Sequence, residues 1–378
     1  MRRAGPILLL LALTGPARAE LRAGPYLQAV TPTSGTVMWR SEPPAPARVI
    51  VEGPGLPAGG AIVDAPAATP RATFRGLRPA TRYRYALEVG GVRETGELVT
   101  ALAPGDDAAF ELAVFGDNGQ AGDRHRRVVE QVLAGSSDFV VSTGDLVEDA
   151  ARRELWHRLF AVERPLIRST PIYPAFGNHD VRSGGARIAT ARAYYELPGR
   201  AATDDELYYA FTYGRSRFVV LDSNARGDAL AAETAWLDRE LAAARADPLI
   251  DHAFVALHHP VFSVSHHGGK EVIRNAWRPL FERYRVTAVL SGHDHVYERA
   301  ETGGVHYFVS GGGGADTYAR REHPDPADAA AVKSFESTLH YLRIRVHGAR
   351  VEVAALRADG TPIETTTWTE PVVTARAP

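Results

Sequence analysis

Five short pieces between residues 114 and 299 constrain this chain more than anything else in it. They read VFGDNG (114–119), STGDLVED (142–149), FGNHD (176–180), ALHHP (256–260) and SGHDHVYER (291–299). Four of them follow an apolar or β-branched run, and the third follows the shorter PIYPA. Each places an oxygen or nitrogen donor just past a strand-like segment, where open sheets present their ligand-binding loops. Singly these signals are weak, since an aspartate in a turn commonly serves as a cap or Asx turn. Together Asp117, Asp145, Asn178, His258, His293 and His295 supply enough donors for two adjacent metal ions sharing one carboxylate. Paired ions roughly 3.5–4 Å apart are a standard means of activating water against a phosphate ester.

Cysteine is absent from the 378 residues, so disulfides, iron–sulfur clusters and thiolate zinc sites are excluded. A metal must then be held by oxygen and nitrogen, which favours iron, zinc or manganese over copper(I). Net charge is −2 and apolar content 45%, an ordinary globular composition. No basic tract is available to neutralise a nucleic-acid backbone, so a polymeric nucleic-acid partner is not expected.

The chain opens MRRAGPILLLLALTGPARA, two arginines ahead of a short apolar core and then Ala17-Arg18-Ala19. This reads as a secretory signal peptide, residues 1–19, cut after Ala19. The apolar run is too short to span a bilayer, and no later stretch approaches 18 apolar residues. The expectation is a secreted or periplasmic protein with no membrane span after cleavage.

Residues 20–103 alternate apolar and polar side chains through TVMWR (36–40), ARVIVEG (47–53) and the tyrosines at 83 and 85, with Pro- and Gly-rich turns between. That spacing predicts a small β-sandwich in which Trp39 is core. ALAPGDDA (101–108) reads as a linker. From 108 to 378 the pattern becomes strand-then-helix: helical spacing over 125–134, 153–167, a segment near 233–246 and another near 275–284. An α/β fold follows, central sheets covered by helices. HYFVSGGGG (306–314) predicts a strand ending in a close-approach turn, 315–332 a long surface loop, and 339–360 a hairpin turning at His347-Gly348.

The order GD-x-G, GD, GNHD, HHP, GH-x-H resembles the calcineurin-like metallophosphoesterase superfamily. LRPATRYRY resembles the fibronectin type III signature, and the fibronectin-like unit with the GHDHVYER ending looks most similar to the purple acid phosphatases. The resemblance covers nearly the whole chain after residue 19. It implies a metallophosphoesterase β-sandwich core and two divalent or trivalent ions, iron and zinc foremost with manganese also compatible. Asp117, Asp145 and His295 would hold one ion; Asp145, Asn178, His258 and His293 the other. Asp145 bridges, which suits a carboxylate with two charged oxygens. His179 would stand at the phosphate, stabilising the transition state or protonating the leaving alkoxide, and His266 or His267 would hydrogen-bond a phosphate oxygen. The implied activity is acid phosphatase-like: hydrolysis of phosphorylated small molecules by attack of a metal-activated hydroxide. A phosphodiesterase on the same centre and a non-catalytic binding protein are the rival readings. Two departures stand out. Where purple enzymes have GD-x-x-Y, this chain has GDLVE, so Glu148 replaces the tyrosine that gives the colour; it could ligate, cede the position to water or make a supporting contact. Gly119 stands where other superfamily members carry the D-x-H histidine.

Overall fold

A computed structural model describes residues 19–181, 185–199 and 207–370. The predicted signal peptide up to residue 18 lies outside them. Seven strands come first: β1 Glu20–Gln28, β2 Ser34–Glu42, β3 Ala47–Glu52, β4 Ala61–Ala65, β5 Arg71–Arg75, β6 Arg82–Val89 and β7 Val92–Val99. They form two antiparallel sheets, ordered β1-β2-β5 and β4-β3-β6-β7. Alternation along each strand sends Trp39, Val49, Val51, Phe74, Tyr83, Tyr85 and Leu98 into the shared core. The other face of β1 does not meet solvent. Tyr26 packs at 4.7 Å on Phe160, and its hydroxyl donates to the Tyr194 carbonyl at 2.8 Å. Tyr85 likewise donates to the Arg168 carbonyl at 2.6 Å. The sandwich is therefore seated on the remainder of the chain by buried contacts.

The α/β part contains β8 Phe110–Phe115, α1 Asp123–Ala134, β9 Phe139–Ser142, α2 Arg153–Ile167, β10 Ile172–Pro174, α3 Asn178–Val181, α4 Gly185–Tyr194, β11 Tyr209–Tyr213, β12 Ser216–Val220, α5 Gly227–Ala246, β13 His252–Ala256, α6 Glu271–Arg283, β14 Ala288–Ser291, β15 Tyr297–Thr302, β16 Val305–Ser310, α7 Pro326–Ala331, β17 Val332–Glu336, β18 His340–His347, β19 Arg350–Arg357 and β20 Pro362–Thr369. One sheet runs β10-β9-β8-β18-β19-β20, the other β11-β12-β13-β14-β16-β15-β17. The two pack face to face. Phe254, Ala256, Ala288 and Leu290 point toward the first sheet, whereas Val255, Leu257 and Val289 point toward Leu237, Leu241, Trp277 and Phe281 of α5 and α6. Strands covered on both faces must be apolar at nearly every position, which is why AFVAL (253–257) and AVL (288–290) read as unbroken apolar runs.

The stretch 315–332 is not wholly a loop: Asp325 caps α7, and β17 follows at the edge beside β15. The predicted hairpin forms as β18 and β19, extended by a third strand, β20. Strands β8, β9 and β10 are parallel to one another, as are β12, β13, β14 and β16. Their carboxyl ends therefore open on one edge of the molecule.

Candidate metal centre

All five sequence pieces lie at that edge. Asp117 follows β8, Asp145 follows β9, Asn178 follows β10, His258 follows β13, and His293 and His295 follow β14. Four of the five loops place glycine directly ahead of the first ligand candidate, at Gly116, Gly144, Gly177 and Gly292, and the reason is space. A Cβ on Gly177 would lie 2.0 Å from Asp145 Oδ1, and one on Gly292 would lie 2.4 Å from Asp117 Oδ2. Three of the ligand candidates adopt left-handed backbone, with φ of 60° at Asp117, 48° at Asp145 and 70° at His293. Such angles cost non-glycine residues on the order of 1 kcal/mol each and concentrate at functional sites. Here the carboxylates help hold the turns: Asp117 accepts from the His293 N–H at 2.9 and 3.1 Å, and Asp145 Oδ1 accepts from the His179 N–H at 2.8 Å.

The imidazoles are oriented by backbone carbonyls. Nδ1–H of His258 donates to Thr143 at 2.9 Å, that of His295 to Asp316 at 2.7 Å, and that of His179 to Glu148 at 2.6 Å. Each neutral ring is thereby left with its lone pair on Nε2, the form that binds a metal or accepts a proton. Around His258 Nε2 stand Asn178 Oδ1 at 3.2 Å, Asp145 Oδ2 at 3.3 Å and His293 Nδ1 at 3.2 Å. The ligand atoms of Asp145, His258 and His293 all fall within 4.8 Å of one another. A buried cluster of this kind needs positive charge at its centre. Burial opposes protonation of His258, yet Asp145 and then Asp117 outweigh it and push the imidazole up to about 9. A proton there does what a bound cation would do, and the donor set fits such a cation. Next to it, His295 Nε2 lies 3.5 Å from Asp117 Oδ1.

The neighbouring electrostatics are consistent. Burial raises the Asp117 carboxyl well above its usual range. Burial also works against ionised Asp145, but His258 and His179 more than offset it and hold that carboxyl low. Burial keeps His293 and His295 neutral. Beneath Asp145, the fully buried Asp180 accepts from the Leu146 and Gly177 N–H groups, and burial, reinforced by the Asp145 charge, pushes it up to about 7.

The other predicted residues occupy different distances from this centre. His179 is 39% exposed at its side chain, with Nε2 3.9 Å from Asp145 Oδ2. The ring of His267 lies 4.2 Å from that of His293, and His266 sits one ring further out against Tyr318 at 5.0 Å. Asp294 is buried and accepts from Ser263 Oγ at 2.5 Å, His267 N at 2.8 Å and Gly268 N at 3.1 Å, so it anchors the histidine loop. Glu148 is exposed, and its backbone carbonyl, through His179, is its contact with the site. Sequence reasoning missed Tyr318, which stacks on His295 at 4.1 Å and 17°, because no motif surrounds it. It also missed Arg226 and Lys270. A cavity of about 570 Å³ lies between Glu148, His179, His295 and Tyr318. A second, of about 620 Å³, lies between Asn178, His293, Arg226 and Lys270.

Residues 110–297 match the family described as calcineurin-like phosphoesterase, so the chain carries a calcineurin-like metallophosphoesterase domain, a family whose members use dinuclear metal sites. Within it, the chain has purple acid phosphatase homologues. It is 27% identical to purple acid phosphatase 23 of Arabidopsis thaliana, over 59% of this chain and 56% of that protein. It is 28% identical to human tartrate-resistant acid phosphatase type 5, over 57% of this chain and 76% of that protein. An uncharacterised protein of Mycobacterium tuberculosis is 29% identical over 70% of this chain and 55% of its own length. The chain thus spans about half the length of the first curated relatives it matches. The fold is shared with purple acid phosphatase PPD1 of yellow lupin, at a TM-score of 0.76 and 17% identity over 91% of this chain and 74% of that one. PhoD gives a TM-score of 0.67 at 14% identity, over 93% of this chain and 92% of that one.

Proposed function

We propose that the chain is an exported phosphoesterase that hydrolyses phosphate monoesters at a dinuclear centre held by Asp117, Asp145, Asn178, His258, His293 and His295. In this reading residues 20–103 are an accessory sandwich and 108–378 the catalytic unit. The observation that carries it is the convergence of Asn178, His293 and Asp145 on His258 Nε2 at 3.2–3.3 Å, with His295 and Asp117 paired beside them. Two bound ions would supply Lewis acidity toward a phosphoryl oxygen and a water acidified toward neutrality. Iron and zinc, with manganese also compatible, suit an all-nitrogen-and-oxygen donor set.

The chain's own groups complete the chemistry. Asp145 Oδ2 faces His258 while Oδ1 accepts from His179 N, and in this reading the carboxylate would be shared by the two ions. His179, tethered through Nδ1, presents Nε2 to the cavity, where it can hold a proton for the departing alkoxide. His267 packs against His293 and lies 5.6 Å from the Tyr318 ring, and in this reading it clamps a phosphate oxygen. Glu148 takes no ligand role in this scheme. The test is elemental analysis of the purified protein beside paired monoester and diester assays with added iron, zinc and manganese. Two metal equivalents with monoester turnover are expected, lost in Asp145→Asn. A metal-free protein with no turnover under any metal would refute the reading, and preferential diester cleavage would replace it with the phosphodiesterase.

A further inference from the structure

The cavity on the Asn178–His293 side is built differently from the one over His179. Two cations line it, Arg226 and Lys270. Each sits at the residue preceding a long helix: Arg226 ahead of the 20-residue α5 and Lys270 ahead of the 13-residue α6. Among the described residues neither forms an ion pair. Arg226 spends Nη1 on the carbonyls of Ser223 and Ala225. Asp222 is the one carboxylate among the described lining residues, and its Oδ1 is engaged by Asn224. Arg226 and Lys270 repel each other, Asp222 offsets Arg226 in part, and an anion bound between the two cations would offset the remainder.

His259 supplies an independent sign. It is only 4% exposed, and it lines the same cavity. Ser223 Oγ accepts from the His259 backbone N–H at 2.9 Å, which leaves the hydroxyl proton for Nδ1, also at 2.9 Å. The ring proton of neutral His259 then resides on Nε2. That N–H makes no hydrogen bond to a described residue, so it is free to donate to a group in the cavity that His259 lines. A donor, two cations and the edge of the candidate metal centre thus surround one space of about 620 Å³.

We propose that this cavity is a subsite for a second anionic group, a phosphate or carboxylate, on the same substrate molecule whose phosphate ester is cleaved. The inference rests on the phosphoesterase reading and deepens it: favoured substrates carry two anionic groups, with Arg226, Lys270 and His259 Nε2–H gripping the one that is not hydrolysed. Bidentate or charge-assisted contacts of this sort contribute about tenfold each in affinity.

The experiment compares kcat/KM for fructose 1-phosphate, fructose 1,6-bisphosphate and phosphoglycerate in the wild-type protein, Arg226→Ala, Lys270→Ala and the double variant. The expected wild-type preference for substrates with two anionic groups over fructose 1-phosphate is tenfold or more, falling at least tenfold in the double variant through KM. Calorimetric binding of methylenediphosphonate to the metal-loaded protein should weaken in parallel. The bisphosphate and phosphoglycerate arms tell phosphate from carboxylate as the second group. A wild-type protein that turns over the monophosphate with no preference overturns the subsite and leaves the phosphoesterase standing. Loss shared equally by all three substrates in the variants also overturns it. No turnover of any ester refutes the underlying activity instead.

Discussion

Gly177→Ala should disable the site without unfolding the protein. The backbone at this position is outside the left-handed region, so alanine meets no conformational penalty; the consequence is purely one of contact. The new methyl would stand 2.0 Å from Asp145 Oδ1, 2.5 Å from Asp145 N and 2.6 Å from Asp145 Cγ. A carbon and an oxygen need about 3 Å or more, so the carboxylate must retreat by about 1 Å. It has little room, being nearly buried between the His179 N–H and His258. Overpacking a tight interior costs about 1–3 kcal/mol, well within what a folded domain tolerates. The effect on chemistry is larger. Displacing by about 1 Å the carboxylate proposed to bridge the metals should weaken metal binding about 10–100-fold and lower turnover about 100-fold. The assays are competition metal titration, kcat under saturating metal and denaturant unfolding of the same preparations. Wild-type metal affinity and turnover in a folded Gly177→Ala protein would show that Asp145 is not confined by this loop, and the geometric argument would fall.

Other perturbations separate the roles. His179→Ala should keep both metal equivalents while losing about 10²–10⁴ in kcat, since its ring is tethered to a carbonyl rather than set among the converging donors; elemental analysis beside kinetics checks this. Asp294→Ala should cost about 3 kcal/mol in denaturant unfolding, because it strands Ser263 Oγ and the N–H groups of His267 and Gly268. The fully buried pair His125 and Glu163, 3.1 Å apart, ties α1 and α2 to the Gly313 carbonyl. Glu163→Ala should therefore cost about 3–5 kcal/mol, read by the same unfolding assay.

Much of this arrangement was legible because the ligand candidates sit where local rules are strict. A strand buried on both faces announces itself as an apolar run, and the residue after it must turn; a glycine before an aspartate or histidine marks how close two loops come. What stayed hidden depends on contacts between distant segments. Tyr318 reaches His295 only because the segment after Gly314 folds back along the site, where Ala315 N–H donates to the Asp117 carbonyl. Arg226 and Lys270 precede different helices 44 positions apart in the sequence, and nothing local to either indicates the other. Strand β20 was obscured by its composition, since PIETTTWT buries little and pairs along an edge.

His340 sets an acid limit on the fold. It is completely buried at the start of β18, its backbone N–H donating to the Gly312 carbonyl at 3.0 Å and its Nδ1 to the Thr338 carbonyl at 3.0 Å. The ring presses on the glycine loop beside the site, for a Cβ on Gly312 would meet Nδ1 at 2.1 Å. Burial is the main reason the imidazole is held down to about 4. An unfolded histidine titrates near 6.5, so between those values the unfolded chain binds the extra proton and stability falls as pH falls. Above pH 6.5 both states are neutral and the residue makes no pH-dependent contribution. The full difference corresponds to about 3 kcal/mol, reached near pH 4. His340→Phe fills similar space and cannot take a proton, so denaturant midpoints of the two proteins from pH 7 to pH 4 should converge or cross as the wild type loses that stability. Parallel pH profiles would mean that His340 accepts its proton in place. The folded loop around Gly312 would then have to accommodate a charged ring, which its close contacts on both sides oppose.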